Sequence, residues 1–236
     1  MIKEVLLQVV IIVSNILQVV AGFGGNMIAV PLGIRLVDLE SVKCVLNTFS
    51  TVGCIALMVQ TRKDINKKET IKMTTGMLIG MAIGVLVIRS LSLDYLLYFY
   101  GGFVIIVGLV KLFAKKTISV PKIVLTCVIL IAGIIHGMFL SGGTMLVIYA
   151  ISAIPEKKSF RATMNAVWVI TGVLYLIYDA VSGHFTRVNI IRSVVGTATL
   201  LISMPIGNYL FRKISQKKFL VMTYVLIILA GASMFL

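Results

Sequence analysis

Acidic residues are scarce in this chain: eight Asp and Glu stand against 22 Lys and Arg in 236 residues. Proline occurs four times, cysteine three times, histidine twice and tryptophan once. Each shortage excludes something. Cys44, Cys54 and Cys127 sit singly in apolar surroundings, without the spacing of a disulfide framework or a metal cluster, and read as small core residues. There is no Walker-type phosphate loop and no serine elbow, and Gly22-Phe23-Gly24-Gly25 lacks the spacing and strand context of a dinucleotide fingerprint. Ser141 and His136 are not spaced as a nucleophile–base pair on one helical face. Asp179 falls just past an apolar segment and reads as interfacial, so no span carries the buried acid of many ion-driven pumps. An enzyme, a resident cofactor and a metal centre are not expected.

What the chain has is apolar length. Hydrophobic residues make up 59%, charged residues 13%, and the mean hydropathy is +1.09, whereas a soluble domain carries about 25% charged residues. Eight hydrophobic segments, near 5–34, 44–61, 73–88, 95–110, 123–155, 162–178, 188–211 and 219–236, are long enough or nearly so to cross about 30 Å of hydrocarbon. They are continuously apolar, so barrel strands of alternating polarity are excluded. The fold class is therefore an all-α polytopic membrane protein. Residues 1–25 are retained as mature structure, because segment 123–150 repeats them far from the terminus. The net charge of +14 lies in short basic clusters between spans, the pattern of cytoplasmic loops, and nucleic acid is not an expected partner.

Residues 18–47 recur 118 positions later without a gap, and the matches are polar or small groups inside apolar segments. Gly24-Gly25-Asn26-Met27 aligns with Gly142-Gly143-Thr144-Met145; Asp38 meets Glu156, Ser41 meets Ser159, Lys43 meets Arg161, and Asn47 meets Asn165. Two halves with matching glycine-interrupted segments are the signature of a duplicated transporter. The division is 1–118 and 119–236, two homologous halves of four segments each. If the first segment of each half is broken or re-entrant, the halves become inverted repeats. Sixteen basic residues then fall on one face and six on the other, which fits the positive-inside rule with both termini outside. Eight simple crossings would divide them twelve to ten, with no orientation signal.

The glycine breaks point to the site. Glycine lets the chain leave helical geometry and lets a ligand approach the main chain. Asn26 and Thr144 are residue types that cap helix N-termini, and the short helices after them would turn positive dipole ends toward the break. Gly24, Gly25, Asn26, Gly142, Gly143 and Thr144 are thus candidates for binding a small anion; close helix packing is the competing reading of the glycines. Asn47 and Asn165 are buried amides that would bind the anion or tie down the broken segments. Lys43 and Arg161 stand one turn earlier, where they would guide anions or simply snorkel to head groups. His136, with Gln18 as its repeat partner, is a proton-relay candidate or a hydrogen-bonded structural histidine.

The stretches Ala21-Gly22-Phe23-Gly24-Gly25-Asn26-Met27-Ile28-Ala29-Val30-Pro31-Leu32 and Gly137-Met138-Phe139-Leu140-Ser141-Gly142-Gly143-Thr144-Met145-Leu146-Val147 resemble the sulfite exporter (TauE/SafE) family. So do Lys43-x-x-x-Asn47 and Arg161-x-x-x-Asn165. The resemblance covers essentially the whole chain. It implies a multi-pass plasma-membrane permease, a secondary transporter of sulfite, sulfoacetate or related organosulfur and organic oxyanions working by alternating access in the lipid bilayer. The alternative is a non-transporting membrane scaffold or accessory subunit. Two departures stand out: Asn26 and Thr144 where members often carry a third glycine, and Tyr149 opposite Pro31 in the second half.

Overall fold

A computed structural model describes residues 2–21, 23, 25–87, 98, 101–102, 105–106, 108–110, 112–113, 122–233 and 235. Among them the regular structure is helical, with no strand. The first apolar segment is two helices, α1 (Ile2–Ala21) and α2 (Gly25–Gly33). Then come α3 (Leu39–Gln60), a 3-10 turn at Arg62–Asp64, and α4 (Lys67–Val87). Half of segment 95–110 falls outside the described residues. The second half opens with α5 (Lys122–Phe139) and α6 (Gly143–Ala153), followed by α7 (Lys157–Val181), α8 (Arg187–Lys213) and α9 (Gln216–Ser233). Among the described residues, α1, α3, α4, α7 and α8 are long and apolar enough to cross a membrane.

Helix boundaries repeat with the sequence. The ends of α1 and α5 (Ala21 and Phe139), the starts of α2 and α6 (Gly25 and Gly143) and the starts of α3 and α7 (Leu39 and Lys157) are each 118 residues apart. The two capping carboxylates also match. Asp38 accepts the Ser41 N–H at 2.8 Å, and Glu156 accepts those of Lys158 and Ser159 at 3.0 and 2.6 Å. Helices of 9 and 11 residues, α2 and α6 are about 14 and 16 Å long, half the depth of the hydrocarbon layer. Asn26 and Thr144 do not cap them. Both lie inside the first helical turn, and the residue at the cap of α6 is Gly142, which has no side-chain cap bond.

Glycines set how closely these helices approach. Gly80 and Gly84 of α4 face Gly133 and Gly137 of α5, and a Cβ on Gly133 would stand 2.4 Å from the Met77 carbonyl oxygen. One on Gly137 would stand 2.5 Å from that of Met81. Small residues four apart on both partners let the backbones touch, the usual way helices associate where lipid removes the hydrophobic drive. Each short helix folds back on the helix before it. A Cβ on Gly25 would meet the Ser14 carbonyl at 2.6 Å and Gln18 Cβ at 3.2 Å; one on Gly142 would meet the Ala132 carbonyl and His136 Cβ. Positions 14 and 132, and 18 and 136, are repeat equivalents.

The ends of the molecule are defined by cross-helix bonds. At one end, Asn189 of α8 donates to Ser41 of α3 at 3.0 Å, and Arg192 of α8 pairs with Glu4 of α1. At the other, the Asn66 N–H after α3 donates to Thr163 near the start of α7 at 3.0 Å, and Lys157 donates to the Phe211 and Ile214 carbonyls at the end of α8. Hence α3 and α7, equivalent in sequence, run antiparallel. The second end carries Arg62-Lys63, Lys67-Lys68, Lys157-Lys158 and Arg212-Lys213.

Two expectations for single residues are corrected. Asp179 lies within α7 and is fully buried, so a span does carry a buried acid; its carboxylate is 2.9 Å from His184 Nδ1, because the turn after α7 folds His184 back over it. Cys127 is exposed rather than a core residue, since it sits on the outer face of α5, whereas Cys44 and Cys54 are buried.

A central cavity between the halves

Both helix breaks meet at one cavity of about 30 Å³, beside the middle of α3 and α7. By this measure about 10–15 Å³ accommodates one water, so the space suits a compact group of a few heavy atoms. Gln18, Asn26, Asn47, His136 and Gly143, all singled out from the sequence, line it. Phe23, Ser50, Thr51, Cys54, Leu140, Trp168 and Gly172 complete the wall. Gln18 and His136, Ser50 and Trp168, Cys54 and Gly172 are repeat equivalents, so the cavity lies on the junction between the halves.

The lining is polar but uncharged. Asn26 Nδ2 donates to Ser50 Oγ at 3.4 Å, and Ser50 Oγ donates to the Asn47 carbonyl at 3.3 Å. Asn47 Nδ2 crosses to the Gly172 carbonyl at 3.0 Å, while its Oδ1 accepts Thr51 Oγ1 at 3.4 Å. Gln18 Nε2 donates to Cys54 Sγ at 3.3 Å. His136 stacks on Trp168, ring centroids 5.3 Å apart, and its buried Nδ1 has no hydrogen-bond partner. Asn26 Oδ1 is likewise buried without one. Buried polar groups are normally satisfied; these two residues of the cavity wall each carry an atom that is not.

The α5–α6 break carries backbone strain. Leu140 has φ +52°, the left-handed region that side chains other than glycine rarely occupy. Its N–H ends α5 by bonding to the His136 carbonyl at 2.8 Å, and its side chain lines the cavity. Such conformations cost about 1–3 kcal/mol and cluster at functional sites.

Other sequence candidates lie elsewhere. Gly25 and Gly142 are packed against α1 and α5 as described, and Thr144, fully buried, donates to the Ser141 carbonyl at 3.3 Å. Asn165 turns back on its own helix, donating to the Arg161 carbonyl at 2.7 Å. Gly24 lies outside the described residues. Neither basic candidate reaches out to solvent. Lys43 is 2% exposed and pairs with Glu40 at 2.7 Å, under Tyr175 at 5.7 Å. Arg161 is 3% exposed, bonded to Asn208 and stacked on Phe211 at 4.3 Å. They occupy opposite ends of the molecule because α3 and α7 run in opposite directions. Glu40, Asp179 and His184 hold ligand-type atoms within 4.8 Å of one another, but the Lys43 ammonium already supplies the positive charge there.

Sequence reasoning passed over Ser50, Thr51, Cys54, Trp168 and Gly172. Their one signal was placement: one or two helical turns beyond Asn47 and Asn165 on the same helices. Comparison with known proteins gives a family and no nearer relative. No curated protein and no solved structure matches the chain. Residues 7–234 match the family model described as Sulfite exporter TauE/SafE, nearly the entire length. Glycine-broken hairpins, a polar hollow between related halves and that match agree: the chain belongs to the sulfite exporter TauE/SafE family of membrane transporters.

Proposed function

We propose that the chain is a secondary carrier for a small oxyanion of the sulfite class in the plasma membrane, and that the central cavity is its binding position. The observation that carries this reading is a hollow lined by uncharged donors at the junction of two broken hairpins. Moving an anion into a protein interior costs several kcal/mol. A hydrogen bond to a charged group returns about 1.5–3 kcal/mol, so the second amide protons of Gln18 Nε2 and Asn26 Nδ2, with a ring N–H of His136, offset that cost. Gly143, the uncapped first residue of α6, adds the positive end of a helix dipole, commonly 0.3–1 kcal/mol. A site without a full positive charge also releases its guest, which transport requires.

The cavity's size favours sulfite over anions with longer organic tails. His136 lines the cavity and is unpartnered at Nδ1, which supports a role in exchanging a proton with the guest. The antiparallel course of α3 and α7 supports inverted repeats, the arrangement that gives alternating access by rocking one half against the other. The basic end then faces the cytoplasm.

Sulfite counterflow in proteoliposomes tests the carrier. Uptake of labelled sulfite against internal unlabelled sulfite is expected, and it should fall sharply in Asn26→Leu. Absence of flux for sulfite, sulfoacetate, thiosulfate and lactate alike would leave the scaffold alternative standing.

A further inference from the structure

At the basic end of the molecule a second hollow, of about 270 Å³, opens between the end of α3, the start of α7 and the end of α8. Arg161 lines it together with Lys158, Arg212, Asn208, Gln60 and Asp64. Arg161 is buried, and its Nε has no hydrogen-bond partner. One guanidinium nitrogen, Nη2, donates to Asn208 Oδ1, and Asn208 Nδ2 donates in turn to Gln60 Oε1 at 3.2 Å. These amides hold the guanidinium in place without neutralising it. Asp64 shares the hollow but forms no ion pair with Arg161, and neither does any other described carboxylate.

The repeat shows how unusual this is. The equivalent of Arg161 is Lys43, and the equivalent of Lys158 is Glu40. In the first half Glu40 neutralises the buried cation at 2.7 Å. In the second half that acid is replaced by a base, and Arg212 adds another positive charge beside it. A buried charge without a partner is costly, and proteins pair it or coordinate it. The planar fork of an arginine suits a bidentate oxyanion.

We propose that this hollow is a second anion-binding site, separate from the central cavity, which takes an oxyanion on Arg161 with Arg212 and Lys158 beside it. The ligand is either a free inorganic oxyanion or the phosphate of a lipid head group, since both present the same oxygens. With a free oxyanion it gathers anions at the basic end before they reach the cavity.

Calorimetric titration of the purified full chain in detergent with inorganic sulfite and sulfate tests this. Trp168 is the only tryptophan and lines the central cavity, so its fluorescence reports that site alone. The wild type is expected to show one binding event more than Trp168 reports. R161Q should weaken that extra event at least about tenfold and leave the Trp168 response in place, while R161K should recover part of it. Intact R161Q melting would show the protein is folded. Moving the protein from a phosphate-free maltoside detergent into phospholipid nanodiscs abolishes the extra event if a lipid phosphate is the occupant and leaves it if the anion is free. No extra event in detergent, or one unchanged in R161Q, overturns the proposal. Loss of the Trp168 response with the extra event retained would count against the central cavity and not against this site.

Discussion

Asn47 of α3 donates from Nδ2 to the carbonyl oxygen of Gly172 in α7 at 3.0 Å, joining the two halves across the cavity wall. The bond exists because Gly172 has no side chain: a Cβ there would stand 2.2 Å from Thr51 Oγ1 and 3.3 Å from Asn47 Oδ1. The same absence brings the helices together and leaves the hollow.

Gly172→Ala should therefore push Thr51 aside and close the cavity, lowering sulfite flux at least about tenfold while the protein still inserts. Pairing it with Thr51→Ser should leave flux low, because the offending hydroxyl remains. Pairing it with Thr51→Ala should restore part of it. Counterflow on all three variants reads the outcome, and equal flux in both pairs would contradict this account.

Asn47→Leu removes the cross-helix donor to Gly172 and leaves the buried Thr51 hydroxyl without its acceptor. Each unsatisfied buried group costs about 1–3 kcal/mol, so the melting temperature in detergent should drop by several degrees. Thr48→Ala, which loses only a hydroxyl bonded within its own helix turn, should fall much less.

The contact of α4 with α5 leaves no room for side chains. Gly80→Val would place Cβ 2.3 Å from the Leu130 carbonyl, and Gly133→Val would do the same toward Met77. Both should abolish recovery of folded protein. At Gly102 the nearest atom to a Cβ among the described residues is Phe235 Cζ at 3.8 Å, so Gly102→Ala should express normally. Size-exclusion profiles of the purified variants distinguish these results.

Removing the cap carboxylates in Asp38→Ala or Glu156→Ala should each cost about 1 kcal/mol of stability. Burial raises the pKa of Asp38, but hydrogen bonds from Ser41 outweigh it and hold the group below its ordinary value. A depressed pKa means that the contribution is full above the unfolded value and fades as pH falls through the folded one. The difference in melting temperature between wild type and Asp38→Ala should thus shrink in acid and be constant near neutrality.

Lys63→Cys and Lys158→Cys should label from the same side of the membrane, because the turn after α3 lies beside the start of α7. Labelling from opposite sides would exclude inverted halves. Native Cys127 is exposed and should be replaced first; Cys44 and Cys54 are buried and need not be.

Much of this was legible beforehand. Apolar length fixed the helical membrane class, since only internally hydrogen-bonded backbone survives in hydrocarbon. The glycine pairs marked where α1 and α5 stop, and the 118-residue offset aligned Asp38 with Glu156, whose capping role only the structure showed. Five cavity residues were named from pattern alone: Gln18, Asn26, Asn47, His136 and Gly143. Ser50 with Trp168, and Cys54 with Gly172, escaped notice because these equivalent positions share geometry but no residue type.

Composition and spacing by themselves determined that the chain is a helical membrane protein whose glycine-broken segments recur at one offset, because hydrophobic length and local glycine breaks are properties of short stretches. Tertiary structure decided which polar groups face one another. The antiparallel crossing of α3 and α7 puts Lys43 and Arg161 at opposite ends, and the end of α8 closes a hollow around Arg161 with Asn208 and Arg212. The acid of Lys43 lies three residues away and is legible locally, whereas the partners of Arg161, Asn208 and Phe211, are distant in the chain and only the fold brings them together.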